Sequence, residues 1–210
     1  MRAWVLLFCL IGGMAQAGAW PRGKGHWFSA TALDWGADGS VATSFFAEYG
    51  LTDRLTVGVD GFWTTEGATV LGFARLPVWS GPQGGKLALE AGIGTADGKP
   101  ILRPGLSYGR GIVTGWGNGW VAVDATAVVD PALGLSSWKV ESTLGLAPSE
   151  RWKFLMQLRS TGSIGGVQDM VLAPSAVFRL GKSVYLQAGG AYGLTDPRDS
   201  GIKLGVWLEF

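Results

Sequence analysis

Apolar and polar residues alternate along almost the whole chain, and helical periodicity is nearly absent. Val41, Thr43, Phe45, Ala47 and Tyr49 oppose Ala42, Ser44, Phe46 and Glu48. Leu55, Val57 and Val59 oppose Thr56, Gly58 and Asp60. The same period of two runs through 87–93, 102–108, 121–129, 140–146, 154–158, 172–178, 184–188 and 202–210. Segments 24–36 and 68–78 alternate less cleanly and are read as extended too. Between the runs lie eleven clusters rich in Gly, Pro, Asn, Asp or Ser: GADGS, GLTDR, TTEGA, SGPQGG, TADGKP, TGWGNG, DPALGLS, APSER, GSIGGVQ, LGKS and TDPRDS. These residue types favour turns for backbone reasons. Eleven short turns predict about twelve antiparallel strands of roughly ten residues in an up-and-down order, or ten strands if two weaker turns are bulges. A soft repeat runs through the pattern. ILRPGLSYGRG at 101–111 resembles VLAPSAVFRLG at 171–181, and Tyr-Gly-Leu-Thr-Asp occurs at 49–53 and at 192–196. Hairpins duplicated around a ring would produce it, and so would one turn chemistry used twice.

The last ten residues, GIKLGVWLEF, put Ile202, Leu204, Val206, Leu208 and Phe210 on one face and Lys203, Gly205, Trp207 and Glu209 on the other. An open apolar edge is an aggregation site. The expectation is that this strand pairs with the first, near 24–36, and closes the sheet on itself.

Composition sharpens the class. Charged residues are only 16% of the chain and glycines number 35, an unusual pairing for a soluble enzyme. The first residues carry a basic Arg2, an apolar run from Ala3 to about Ile11, and Ala15-Gln16-Ala17. That is the pattern of a secretory signal peptide over 1–17, leaving a single domain over 18–210. Cleavage after Ala17 removes Arg2 and Cys9. It leaves 16 basic against 16 acidic residues and no cysteine for a disulfide. No later stretch supplies the ~20 apolar residues of a membrane helix. No basic stripe marks a nucleic-acid surface.

Alternation alone does not say whether the apolar face meets a core or lipid. The polar faces carry Glu48, Asp60, Glu90, Arg103, Asp124, Lys139, Glu141, Lys153, Arg159, Arg179 and Lys203. A basic residue facing lipid at mid-bilayer costs ~2–4 kcal/mol. In a membrane barrel these residues therefore line the lumen. Aromatic residues fall near strand ends. Trp27, Tyr49, Trp79, Tyr108, Trp116, Trp120, Trp152, Phe178 and Tyr185 are expected at one rim, and Trp35, Trp63, Trp138 and Tyr192 at the other. Such girdles suit rings at headgroup level. The fold expected is an all-β, up-and-down antiparallel transmembrane β-barrel.

The C-terminal strand resembles the terminal signature of Gram-negative outer-membrane β-barrels, a final Phe preceded by alternating apolar residues. Leu204, Val206, Leu208 and Phe210 match it, and Trp207 on the polar face departs from it. The resemblance implies an outer-membrane location, contact with outer-membrane lipids, and recognition of those four residues by the barrel-assembly machinery. The hairpin FAEYGLTDRLTVGVDG is similar to one in small transporter-like barrels named for the meta-pathway of phenol degradation.

A barrel of this size with a lumen rich in Gly, Ala, Ser and Thr is expected to act as a small pore or facilitator for passive passage of small solutes. The alternative lumen is one closed by its own ion pairs. The N-terminal stretch GAWPRGKG is long enough to fold inward. The slightly basic lumen hints at anionic or amphipathic solutes without identifying one. An outer-membrane hydrolase would need a histidine beside a nucleophile or carboxylate. The single histidine, His26, lies three residues from Ser29, on opposite strand faces, with Asp34 far along its own face. Short loops disfavour a receptor or adhesin. No cofactor or metal is expected, because no ligand cluster or phosphate-binding loop is present.

Overall fold

The computed structural model describes residues 18–132, 134–164 and 168–210. Arg2, Cys9 and the Ala15-Gln16-Ala17 pattern lie outside the described residues. Twelve strands follow one another: β1 Trp27–Gly36, β2 Val41–Gly50, β3 Thr56–Trp63, β4 Ala68–Ser80, β5 Lys86–Ala96, β6 Lys99–Thr114, β7 Gly117–Asp130, β8 Gly134–Ala147, β9 Trp152–Ser163, β10 Gln168–Arg179, β11 Val184–Gly193 and β12 Gly201–Glu209. Each strand pairs antiparallel with its neighbours in sequence, and β12 returns to β1 to close the barrel. A single 3-10 turn, Pro197–Asp199, sits between β11 and β12.

The closing seam is a full ladder, from Phe28 opposite Glu209 to Gly36 opposite Gly201. Trp27 and Phe210 exchange both backbone hydrogen bonds at 3.0 Å. Their rings stack at 5.0 Å between centroids. The last residue is thus held at the rim where β1 begins, called here the terminal rim. Two bulges interrupt the register, at Pro77/Trp79 near the terminal rim and at Val128/Val129 near the opposite one. Bulges bend a strand and raise its twist, which helps a sheet turn a closed circle.

The period of two sorts the side chains. Leu89, Ile93, Leu144, Ile202 and Leu204 face outward, and each is more than half exposed. An apolar outer band of that extent is what a lipid environment solvates. The repeated motifs separate under the topology. Segments 101–111 and 171–181 both lie on strands running toward the terminal rim. The two Tyr-Gly-Leu-Thr-Asp copies end β2 and β11, which run in opposite senses, so their turns sit at opposite rims. The second pair is therefore shared turn chemistry and not a duplicated hairpin.

Inside, the terminal half of the lumen is filled. Phe28, Val177, Tyr185 and Trp207 form one buried cluster, with Ala30, Phe46 and Leu155 against it. Leu71, Phe73 and Ile101 form a second, nearer the opposite rim, which also touches Phe46. Phe46 stacks on Phe73 at 5.5 Å and tilts toward Phe28 at 6.3 Å, linking the two. Small residues are thus only part of the lining.

Two aromatic residues expected at the terminal-rim girdle point inward instead. Trp120 is 1% exposed, and Tyr185 packs beside Trp207. Both lie near turns, but strand parity decides their direction. Trp120 pairs across the ladder with Gly145, whose missing side chain leaves room for the indole. Trp120→Ala is expected to lower unfolding stability by ~3–5 kcal/mol, as for other buried Trp truncations. Urea titration of the folded barrel in micelles, read by heat-modifiable gel mobility, checks this.

Candidate functional site in the barrel lumen

The segment from Gly18 to Gly25 enters the lumen from the terminal rim and crosses its floor. Gly25 N–H donates to the Gly50 carbonyl at 2.9 Å, and Arg22 N–H donates to Thr56 Oγ1 at 3.0 Å. Arg22 Nε donates to Glu48 Oε1 at 2.6 Å, and its guanidinium lies 4.7 Å from the Phe28 ring centroid. Ala19 is wholly buried, and Trp20 and Ala19 lie over Gly109. Gly18 reaches the far wall beside Asp124, Ser107 and Arg75.

The charged side chains divide into two walls. On β2–β7, away from the strand ends, Glu48, Asp60, Glu90 and Asp124 face Arg75 and Arg103. Arg75 is buried between Glu48 at 2.9 Å and Glu90 at 2.8 Å. Arg103 bridges Asp60 and Glu90. On β8–β12 the balance reverses. Lys139 and Arg159 share Glu141, at 3.8 and 3.3 Å. Lys203 reaches across to Asp34 of β1 at 3.3 Å. Lys153 is buried, with Glu209 at 3.8 Å and the Tyr185 ring at 4.6 Å.

Two cavities occupy what remains. The inner one is about 370 Å³, and Gly18 and Arg22 form part of its floor. The second, about 760 Å³, is a vestibule opening toward the rim opposite the termini, where Asp38, Asp169, Arg198 and Asp199 help line it. At that mouth the Arg198 guanidinium, hydrogen-bonded to Asp196, holds the Asp196 carboxyl below its ordinary value. Asp199 is pushed up, by burial first and then by Asp169 and Asp196.

The cavities meet at residues that line both: Arg103, Lys139, Arg159 and Lys203, with Asp60, Ser44 and Thr126. The vestibule as a whole is balanced, with Asp34, Asp38, Asp60, Asp169 and Asp199 against Arg103, Lys139, Arg159, Arg198 and Lys203. The junction is not balanced, with four cations against one carboxylate. The partners of those cations lie above or below it, Asp34 in the vestibule wall and Glu90 and Glu141 in the inner cavity.

Of the charged residues assigned to the lumen from sequence, Glu48, Asp60, Glu90, Arg103, Asp124, Lys139, Glu141, Arg159 and Lys203 line the two cavities. Lys153 is packed into the floor. Arg179 curls back to the terminal rim, where it donates to the carbonyls of Gly181 and Lys182. Arg22, Asp34 and Arg75 are lumen charges that sequence reasoning did not assign. Leu204, Val206 and Leu208 face outward on β12, and Phe210 closes the seam. His26 is exposed at the terminal rim, its Nδ1 3.3 Å from the Phe210 carbonyl oxygen, away from both cavities. Among the described residues, no group of three His, Cys, Asp or Glu side chains is arranged to hold a metal.

This fold is shared with solved outer-membrane barrels. The KdgM porin matches with a TM-score of 0.69 at 9% identity, over 87% of this chain and 99% of that one. The NanC porin matches at 0.63 and 10% identity, over 87% and 98%. An outer membrane channel from Pseudomonas putida F1 matches at 0.59 and 12% identity, over 94% and 100%. No protein-family model matches the chain, and no curated protein matches it in sequence. The class defined is therefore the closed, twelve-strand outer-membrane-type β-barrel.

The two kinds of lumen charge separate by experiment. Arg75→Met leaves two buried carboxylates short of a partner and is expected to cost ~3–5 kcal/mol. Arg159→Gln, at a half-open position, is expected to cost under ~1 kcal/mol. Urea midpoints of the two variants in one micelle system test the contrast.

Proposed function

We propose that this chain is an outer-membrane pore for small solutes and that the junction between its two cavities favours solutes bearing an anionic group. The observation that carries the reading is the junction itself, where Arg103, Lys139, Arg159 and Lys203 meet a single carboxylate, Asp60. Guanidinium and ammonium groups at a narrowing lower the barrier for an anion and raise it for a cation. The carboxylates at the vestibule mouth keep that field local, so the filter acts where the two spaces join. The structural likeness to two porins and an outer membrane channel supports the same reading. One KdgM structure holds a disordered oligogalacturonate. That ligand carries carboxylates, the group the junction here would favour.

The rest of the reading follows from export. A signal peptide ending at Ala17 takes the chain out of the cytoplasm of a Gram-negative cell. The outer band then meets outer-membrane lipids, and Leu204, Val206, Leu208 and Phe210 serve the barrel-assembly machinery as an address. These four lie on the seam strand, which must be placed for the ring to close. A hydrolase has less support, because His26 sits exposed at the terminal rim and lines neither cavity.

In a planar bilayer under a KCl gradient, the folded protein is expected to show small stepwise openings and a reversal potential on the chloride side. Replacing Lys139, Arg159 and Lys203 together by Gln is expected to remove most of that preference. Folded protein that never conducts, or selectivity indifferent to the three substitutions, would sink the reading.

A further inference from the structure

The floor segment ends against a carboxylate with no cation within ion-pair distance among the described residues. A methyl group built on Gly18 would lie 2.6 Å from Asp124 Oδ1 and 2.7 Å from Ser107 Oγ. Gly18 therefore lies against that carboxylate, with its nitrogen one bond from the Cα that makes the approach. Arg75 is also close, at 3.1 Å from the same point, but its guanidinium is engaged by Glu48 and Glu90. Every other carboxylate of the β2–β7 wall has a basic partner within 4 Å: Glu48 has Arg22 and Arg75, Glu90 has Arg75 and Arg103, and Asp60 has Arg103.

The charge count of that wall points the same way. Away from the strand ends, its lumen face carries Glu48, Asp60, Glu90 and Asp124 against Arg75 and Arg103, two more carboxylates than guanidiniums. Arg22, carried in by the floor segment, offsets one. The second needs a cation at the other end of the same segment, where Gly18 stands. Processing after Ala17, the cleavage expected from Ala15-Gln16-Ala17, makes the nitrogen of Gly18 a primary ammonium.

We infer that Asp124 and Ser107 form a receptor for the α-ammonium of the processed chain, and that this ion pair latches residues 18–22 across the lumen as a built-in restriction of the pore. The latch has two points, the ammonium on Asp124 and Arg22 on Glu48, on opposite sides of the floor. It explains why residue 18 is glycine, since a side chain there would collide with the carboxylate and hydroxyl it must approach. It also ties the seat to processing: a chain cut elsewhere has no charge at this point. The restriction of conductance rests on the pore reading above. The ammonium site does not.

The experiment uses the processed protein purified from outer membranes. Intact mass is expected to give Gly18 as first residue. At pH near 7, an acylating reagent selective for α-amines is expected to label the folded wild type at least tenfold more slowly than Asp124→Asn, with Asp60→Asn behaving as wild type. A refolded chain retaining Gln16-Ala17 ahead of Gly18 displaces the charge without touching the wall, and is expected to label as fast as Asp124→Asn. A different first residue, or equal labelling of wild type and both altered chains, overturns the inference. In bilayers, Asp124→Asn is expected to raise open probability severalfold. Protected α-amine with no conductance from any folded variant would leave the ammonium site standing and overturn the pore reading instead.

Discussion

Inside a bilayer every backbone N–H and C=O must find a partner within the protein, because each one left unmet costs several kcal/mol. The pairing of β12 with β1 satisfies that demand, and the rest of the molecule depends on it. Without the seam, β1 and β12 would each present an unpaired edge to hydrocarbon. With it, the barrel wall is complete, the period of two becomes an inside and an outside, and charges such as Glu48, Arg75, Glu90 and Arg103 are assigned to the lumen. The stacked Trp27 and Phe210 rings and the paired hydrogen bonds at the last residue show the seam carried to its end.

Charges forced inward by that rule have to be compensated inside. They are, but unevenly. The wall from β2 to β7 holds more carboxylate than cation, and the wall from β8 to β12 holds more cation than carboxylate. Arg75 and Arg103 each bridge two carboxylates on the first wall, and on the second Glu141 is shared by Lys139 and Arg159. The result is a field across the lumen, running from the carboxylate-rich wall to the cation-rich one. A guanidinium suits the bridging task because its planar fork reaches two acceptors at fixed angles, which a lysine ammonium does not.

Much of this was legible in the sequence, for a reason. A strand between lipid and a polar lumen writes its parity directly, so strands such as β6 and β9 show the inward Arg103 and Arg159 against apolar neighbours. Turn clusters marked the strand count because the loops are short. The reading failed where the lumen itself is apolar. On β4, Leu71 and Phe73 point inward to a buried cluster while Val70 and Ala74 point out, so both faces look alike and Arg75 was not singled out. Trp120 and Tyr185 were placed at the rim by their distance from turns. Their direction is set by register, and by a glycine opposite Trp120 on the neighbouring strand. Arg22 precedes any strand, so no period assigns it a side, and its partner Glu48 is 26 residues away.

The two halves of the barrel are also mechanically unlike. Toward the termini, the cluster of Phe28, Val177, Tyr185 and Trp207, the guanidiniums and a crossing segment prop the wall from within. Toward the other mouth, a space of about 760 Å³ leaves the strands with fewer props from within, the Leu71 and Ile101 contact and the Lys203–Asp34 pair among them. A tube braced at one end and hollow at the other yields to sideways load mainly at the hollow end. Lateral pressure from the surrounding lipid therefore bears on the shape of the vestibule mouth and leaves the braced floor round, so lipid composition and tension become inputs to one opening and not to the other.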